Sequence, residues 1–367
     1  MYKICVYAIA KNESKNVEEW VESMRPADKI IVLDTGSTDD TVEKLRSFGV
    51  EVYEKHYEHF RFDTARNDCL DLVPDEYDIL VSIDLDERFE QKNWADILRE
   101  NWDPNKPRMI YDYIWLFAEN GETSVTFAVN KIHEKNSNLR WIGAVHEHLW
   151  YLKENTREFT EDQVVDLRGK LQVNHYPDVD KKRFYLELLL ERLEESKDDP
   201  ITWASLGNEY RIRQEWENSI KSYQYCLDHF ENQQEYIPFT CLHYWIGFCY
   251  FQLEDYLSAW EHFWKGLILC PIYRDNYYGL SILMFNCGLY DMAEGTIMQA
   301  FHITQRMNSW LEDGISWTSG LFNILGQVYF EKGQYDLAFQ CAEEALKKEP
   351  SNPVLIEQYN LYKQCIN

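Results

Sequence analysis

The sequence predicts two domains of different class: an α/β domain with a Rossmann-like, mostly parallel sheet, then an all-α domain of helical repeats. Three observations lead to this. Strand and helix patterns alternate over the first hundred residues, strand patterns stop near residue 180, and the remainder repeats a spacing of glycine, small and aromatic residues. We expect the α/β domain in residues 1–180, a linking helix in 181–199 and the repeat domain in 200–367.

Charge and cysteine spacing indicate which binding partners and which cellular location to expect. The net charge of −26 and the sequence pI near 4.8 weigh against nucleic acid or anionic membrane as a partner, because neutralising phosphates needs clustered Lys and Arg. The nine cysteines lack C-x-x-C spacing, and the opening apolar run is too short for a secretory signal. We therefore expect reduced thiols, a cytoplasmic location and no membrane span.

The elements of the first domain follow from apolar periodicity. The predicted strands and helices interleave, which favours a parallel sheet with ligands outside the carboxyl ends of its strands. The expected strands are Ile4–Ala10, Lys29–Asp34, Val50–Tyr53, Ile79–Ile83, Met109–Phe117, Ser124–Lys131 and a strand ending at His175. The expected helices are Lys15–Ser23, Thr38–Phe48 and Thr64–Leu72.

Asp84 and Asp86 follow the apolar run Ile79–Ile83 directly. Two residues apart on an extended backbone, their side chains can point the same way. The pair has no cationic neighbour on its own face of the strand, which favours Mg²⁺ or Mn²⁺ completed by substrate phosphates. A strand ending in a solvated acidic turn is the alternative.

Three further strand ends carry polar loops, at residues 10–13, 34–41 and 60–67. In the second loop Gly36 permits a tight turn, and the Asp34 carboxylate could accept hydrogen bonds from a base N–H or from ribose hydroxyls. In the third loop Asp63 could cap the helix that follows. Each loop alone also fits an ordinary strand-to-helix turn.

Taken together, the segments Ala-Lys-Asn-Glu, Asp-Thr-Gly-Ser-Thr-Asp-Asp-Thr, Phe-x-Asp-x-Ala-Arg-Asn and Asp-x-Asp-Glu resemble glycosyltransferase family 2, whose members have the GT-A fold and use nucleotide-sugar donors. The resemblance spans residues 1–180. It implies a direct metal contact from Asp86, with Asp84 also beside the metal but nearer the ribose. It further implies donor-binding roles for Ala8, Ala10, Asn12, Asp34, Gly36, Asp63 and Arg66.

A loop near residue 147 supplies the candidate base. Gly143 would let the backbone approach a ligand closely, and three titratable residues follow at 146–148. The resemblance implies that Glu147 is the catalytic base, with Trp141, Gly143 and His146 on the acceptor side. His146 stands where the family more often has an acid. A solvated surface Glu is the alternative, and a zinc site is disfavoured because H-E-x-x-H spacing is absent from the sequence.

His175 ends a later apolar strand and is followed by Tyr-Pro. The resemblance implies that its imidazole joins the acids Asp84 and Asp86 around the metal or the diphosphate. The alternative is a hydrogen-bonded histidine before a proline turn.

The second half begins after a helix expected from Arg183 to Lys197 and ended by Asp-Asp-Pro. A spacing of Gly, x2 and Tyr then recurs at Gly207, Gly247 and Gly326, with a looser copy near 277–300. It resembles the tetratricopeptide repeat in about four copies, with residues 302–319 as an insertion. Such an array offers a concave groove for peptides. Its many aromatic residues belong mostly to the core, and the excess could line that groove or a homodimer interface.

A family 2 domain joined to such repeats is similar to bacterial peptide S-glycosyltransferases of the sublancin type. This implies a metal-dependent, inverting transfer from a nucleotide sugar, expected to be UDP-linked, to a peptide or protein chosen by the repeats. Two alternatives stay open: a transferase acting on a surface glycan or lipid-linked acceptor, and a non-catalytic repeat scaffold. Transfer to modified DNA is disfavoured by the net charge.

Overall fold

The computed structural model describes residues 1–152, 160–178, 185–234 and 237–366. These residues divide into two compact units. Unit 1 comprises Met1–Ile114 and Phe127–Glu195, and unit 2 comprises Trp115–Thr126 and Ser196–Asn367. Residues 183–184, where the linking helix was predicted to begin, lie outside the described ranges.

The strands, in chain order, confirm the predicted α/β class for the first domain. They are β1 Ile4–Ala10, β2 Lys29–Asp34, β3 Glu51–Glu54, β4 Ile79–Ser82, β5 Glu87–Phe89, β6 Arg108–Phe117, β7 Thr123–His133, β8 Leu139–Ile142, β9 His148–Tyr151, β10 Val164–Asp166 and β11 Gln172–His175.

Across the described ranges the main sheet has the order β3-β2-β1-β4-β7-β6-β11-β5, with β10 beside β6, and β8 pairs with β9 separately. Strands β3, β2, β1 and β4 run parallel, whereas β4–β7 and β5–β11 are antiparallel. The central strands β1 and β4 are buried along almost their whole length, as expected of parallel strands covered on both faces. The sheet is therefore mostly parallel, as predicted.

Helices alternate with the first strands, and the described elements after β11 are helical. They are α1 Val17–Met24, α2 Thr41–Ser47, α3 Phe62–Asp71, α4 Trp94–Asn101, α5 Leu186–Glu195, α6 Pro200–Ile212, α7 Trp216–His229, α8 Phe239–Gln252, α9 Tyr256–Leu269, α10 Arg274–Asn286, α11 Tyr290–Phe301, α12 Gly320–Glu331, α13 Tyr335–Lys348 and α14 Pro353–Ile366. Among the helices described, none is both long and apolar enough to cross a bilayer.

Unit 2 is built from consecutive helix pairs joined by short turns, which confirms its helical-repeat class. Gly207 faces Tyr223, and a Cβ at Gly207 would lie 2.5 Å from that ring. Gly247 faces Phe263 in the same way, at 2.8 Å. Glycine thus allows the paired helices to approach, and a large ring fills the space beside it. The 302–319 insertion holds only a short 3₁₀ turn, Ile315–Trp317, before α12 begins.

Candidate active site

The two motif acids lie in a turn that follows β4. The strand ends at Ser82, and the Glu87 N–H donates to the Asp84 carbonyl at 2.9 Å. The prediction that Asp84 and Asp86 extend a strand through Ile83 with parallel side chains is therefore wrong. A closed turn has no two-residue periodicity, so the two carboxylates turn to different partners.

Asp84 lies between two cations. Its carboxylate accepts from Arg66 Nη2 at 2.9 Å and from Lys131 Nζ at 3.2 Å. The expectation that the acids lack a cationic neighbour is thus wrong, because Arg66 comes from α3 and Lys131 from β7, both distant in sequence. Burial by itself would raise the pKa of the Asp84 carboxyl. The two cations outweigh it and hold that pKa well below its ordinary value.

Glu87 organises this turn, a role that the sequence analysis missed. Glu87 is 1% exposed, and its carboxylate accepts from Lys131 at 2.7 Å, from the Tyr113 hydroxyl at 2.7 Å and from the Asp84 N–H at 2.9 Å. Burial lowers the pKa of Lys131, but the Asp84 and Glu87 carboxylates outweigh burial and raise it. The available signal was the third acid directly after the D-x-D pair.

Arg66 connects the predicted donor side to the predicted base. Arg66 is 4% exposed, and its Nε donates to the Glu147 carboxylate while its Nη2 donates to Asp84. Ser82 accepts from Nη1 at 3.3 Å. The structure therefore brings Asp84 and Glu147, which are far apart in sequence, onto one buried cation.

Asp86 and His175 form the second cluster at this sheet edge. His175 Nε2 lies 3.3 Å from the Asp86 carboxylate, because β5 and β11 pair with Glu87 opposite His175. A carboxylate together with substrate phosphate oxygens suits Mg²⁺ or Mn²⁺, and a neutral imidazole is a common additional metal ligand. Across the residues that the structure describes, no group of three or more His, Cys, Asp or Glu side chains is arranged to hold a metal. The residues present fit a cation with two protein ligands whose remaining positions are filled by substrate.

The two loops predicted to bind the nucleoside, at residues 10–13 and 34–41, are hydrogen-bonded to each other. The Asp34 carboxylate accepts from the N–H groups of Gly36 at 2.9 Å and Ser37 at 2.8 Å. Asn12 has a φ of 54° and its amide oxygen accepts from the Thr38 N–H at 2.7 Å. Gly36 has a φ of 109°, so the tight turn predicted for it is present. Asp34 is buried and serves its own loop in this structure.

The two alanines lie where β1 meets that loop. The Ala8 carbonyl accepts from the Cys69 thiol at 3.3 Å. The Ala10 carbonyl accepts from both the N–H and the hydroxyl of Thr35, at 2.8 and 3.1 Å. Ala10 also pairs in register with Asp34, so the two strand ends are adjacent.

Asp63 braces the loop of the predicted base. Asp63 is not the N-cap residue that the sequence suggested, because α3 begins at Phe62 and the N-cap position falls on Arg61. Within the first turn of α3, the Asp63 carboxylate does accept from the Thr64 N–H, at 2.7 Å. The same carboxylate also accepts from the Gly143 N–H at 2.9 Å and pairs with Arg61 at 2.9 Å. Burial would raise the pKa of Asp63, but Arg61 and the backbone donors outweigh burial and lower it.

The acceptor-side residues differ in exposure. His146 is exposed, and its ring centroid lies 5.7 Å from that of Tyr185. Trp141 is 4% exposed, and its indole N–H donates to the Tyr7 hydroxyl at 2.9 Å. The prediction that Trp141 faces an acceptor does not match this burial, because the residue packs in the core behind Arg66.

Comparison with known families agrees with this geometry. Residues 5–147 match the family described as Glycosyl transferase family 2, and residues 320–352 match the Tetratricopeptide repeat. A search among curated proteins found no match.

Solved helical-repeat structures resemble the chain weakly. The APC/C hetero-tetramer Cut9-Hcn1 gives 16% identity and a TM-score of 0.43 over 49% of this chain, which spans 32% of that structure's length. TTC0263, a thermophilic TPR protein of Thermus thermophilus, gives 15% identity and a TM-score of 0.40. The match covers 49% of this chain and 89% of the TTC0263 chain. YrrB, a TPR protein with an unusual peptide-binding site, gives 14% identity and a TM-score of 0.35. The match covers 48% of this chain and 81% of the YrrB chain.

The low TM-scores carry no argument about function. What identifies the chain is the match over residues 5–147, which contains Asp84, Asp86, Arg66 and Glu147. The chain is a glycosyltransferase with a family 2 domain, followed by a helical domain of tetratricopeptide-repeat type.

Proposed function

We propose that this chain transfers a sugar from a nucleotide sugar, with a UDP-sugar as the expected donor, to a peptide or protein acceptor with inversion at the anomeric carbon. The observation that carries the proposal is the convergence of Asp84, Arg66 and Glu147 beside the Asp86–His175 pair. This arrangement puts a candidate base and a candidate diphosphate site at one edge of the sheet.

Asp86 and His175 would hold the divalent cation. When bound, Mg²⁺ or Mn²⁺ would stabilise the negative charge that develops on the diphosphate oxygens. Asp84, which the family resemblance also places near the metal, already has two cationic partners. We therefore assign Asp84 to the ribose side of the site, where it keeps Arg66 and Lys131 in place.

Glu147 would accept the proton of the acceptor hydroxyl or thiol. The acceptor atom then bonds to the anomeric carbon as the bond from that carbon to the diphosphate oxygen breaks. The electron pair of the broken bond leaves with the nucleoside diphosphate. Arg66 donates to the Glu147 carboxylate through its Nε and so orients that carboxylate within the site.

The repeats are the proposed selector of the acceptor. Helical-pair arrays bind extended peptides in a groove, and exposed apolar side chains on α9, among them Leu257 and Ile268, offer further contact area. The same side chains would suit the homodimer left open by the sequence. The cytoplasmic location stays part of this proposal, and the nine cysteines are free thiols.

The first experiment is release of nucleoside diphosphate from UDP-, GDP- and dTDP-sugars, with Mn²⁺ or with EDTA. Wild type, Glu147→Gln and the control Glu100→Gln, an exposed residue of α4, are compared. Metal-dependent turnover of one donor, lost in Glu147→Gln and kept in Glu100→Gln, is expected. Absence of both turnover and calorimetric binding for every donor would overturn the enzyme proposal and favour the scaffold.

The second experiment identifies the acceptor class with the donor found in the first. Peptide libraries, oligosaccharides and lipid-linked sugars are incubated with enzyme, donor and metal, and the products are analysed by mass spectrometry. A gain of one sugar mass on a peptide is expected. Labelling confined to glycans or lipid-linked sugars would instead establish the alternative acceptor.

A further inference from the structure

Helix α5, which the sequence presents as part of a linker, holds the loop that carries Glu147. Arg192 of α5 is 6% exposed. Its Nη1 donates to the Val145 carbonyl at 2.5 Å and to the His146 carbonyl at 2.8 Å. Two successive carbonyls therefore converge on one buried guanidinium, immediately before Glu147.

The backbone of this loop needs such support. Gly143 has a φ of 117° and His146 a φ of 50°, both in the left-handed region. A non-glycine residue there costs free energy and persists only where its surroundings hold it. A Cβ at Gly143 would overlap the Arg192 guanidinium, so the side chain lies directly against the loop. Arg192 thus compensates for a backbone that would otherwise relax.

A second buried arginine, Arg66, contacts the same loop at Glu147. Arg66 binds the Glu147 carboxylate, while Arg192 binds the two preceding carbonyls. The start of the loop is held separately, because the Gly143 N–H donates to Asp63 at 2.9 Å. Arg61 then joins Asp63 to α5, where Glu191 accepts from Arg61 at 2.6 Å.

We infer that Arg192 is a positioning residue for the glycosyl transfer: it fixes the Gly143–Glu147 loop so that the Glu147 carboxylate meets the acceptor proton. The inference rests on the proposed role of Glu147 as base. Because Arg192 contacts the acceptor-side loop, it governs the rate of transfer and leaves donor binding unaffected.

The test compares Arg192→Gln and Arg192→Lys with wild type, using full-length protein, the donor found above, Mn²⁺ and an acceptor that wild type modifies. Arg192→Gln should lower kcat by about 100-fold, the size expected when a catalytic group is misplaced by about 1 Å. The KM for the donor and its calorimetric Kd should stay within about twofold of wild type, a difference of about 0.4 kcal/mol in binding free energy. Arg192→Lys, which keeps a cationic donor, should recover part of kcat. Arg213→Gln, at the exposed residue that directly follows α6 and pairs with Glu209, is the control and should behave as wild type.

A double-mutant cycle with Glu147→Gln separates positioning from general stability. If Arg192 acts through Glu147, adding Arg192→Gln to Glu147→Gln should lower kcat little further. Additive effects, an unchanged kcat in Arg192→Gln, or a raised donor Kd would each overturn the inference. Should Arg192→Gln fail to fold, Arg192→Lys decides: a lowered kcat at unchanged donor KM supports the inference and an unchanged kcat contradicts it.

Different results would contradict the proposed function and the Arg192 inference. If wild type transfers no sugar to any acceptor, the proposal of transferase chemistry falls before Arg192 is tested. If wild type transfers sugar and Glu147→Gln is fully active, only the base assignment and the Arg192 inference fall.

Discussion

The Arg66 guanidinium lies 2.9 Å from the Asp84 carboxylate, and Arg66 is only 4% exposed. Its Nε also donates to Glu147, so one buried cation hydrogen-bonds to two carboxylates. Burial alone would lower the pKa of Arg66, but Asp84 and Glu147 outweigh burial and raise it well above its ordinary value. Removing the guanidinium would take this buried cation away from Glu147 and leave Asp84 with Lys131 as its cationic partner.

Arg66→Leu should therefore destabilise the first domain. Breaking a buried ion pair by removing one partner costs about 3–5 kcal/mol, because the remaining charge is uncompensated. Urea denaturation followed by fluorescence would measure the free energy of unfolding. Arg25→Leu, which removes an exposed pair with Glu22, is the control and should change it by less than about 1 kcal/mol. Equal effects of the two substitutions would contradict the importance of the buried pair.

Asp86→Asn should abolish the dependence of donor binding on metal. A neutral amide is a poor ligand for a hard cation, and His175 alone cannot retain it. Calorimetry with the donor in Mn²⁺ and in EDTA would show a large difference for wild type and none for Asp86→Asn. Asp96→Asn, an exposed acid on α4, should keep the difference. Metal dependence that survives in Asp86→Asn would exclude this residue as a ligand.

The buried carboxyl group of Glu312 should make the stability of unit 2 depend on pH. Burial, and next the charge of Asp275, raise the pKa of Glu312 to about 8 from an ordinary value of 4.5. Between these two values the folded protein keeps a proton that the unfolded chain loses. Stability should therefore fall as pH rises from about 5 to about 7, by up to about 2 kcal/mol from this group.

Thermal unfolding at several pH values would measure this trend. Glu312→Gln keeps an acceptor for the Met307 N–H, which lies 3.2 Å from the Glu312 carboxylate, and should flatten the decline in Tm. Glu261→Gln, at an exposed site on α9, should leave the decline unchanged. A Tm that rises over the same pH range, or the same slope in Glu312→Gln, would rule out this role.

Gly143→Ala should lower the rate of sugar transfer more than an alanine substitution does at a left-handed glycine with open space around it. Its Cβ would displace the Arg192 guanidinium as well as strain a φ of 117°. We expect kcat to fall by about 100-fold with donor Kd unchanged. Gly169→Ala is the control, since Gly169 has a φ of 75° and open space around its Cα. Similar losses in both variants would show that backbone strain alone matters.

Local patterns predicted the elements well wherever burial is continuous. Strands β1 and β2 have the bounds expected from the sequence, Ile4–Ala10 and Lys29–Asp34, because each is built around a continuous apolar run. The glycine-and-ring spacing of the repeats likewise led to the paired helices around Gly207 and Gly247. After Ser82, where β4 ends and a turn follows, the two-residue periodicity of a strand no longer describes the backbone.

The sequence by itself determined the two-domain plan and the presence of Asp84, Asp86, Glu147 and His175 at strand ends and loops, because motif order and apolar periodicity are local properties. Only the tertiary structure decided which charges meet. Lys131 reaches Asp84 across 47 positions of sequence, and Arg192 reaches Val145 across the same number. Such contacts arise from strand order and helix packing, which bring distant backbone segments together and leave no periodic signal in either segment.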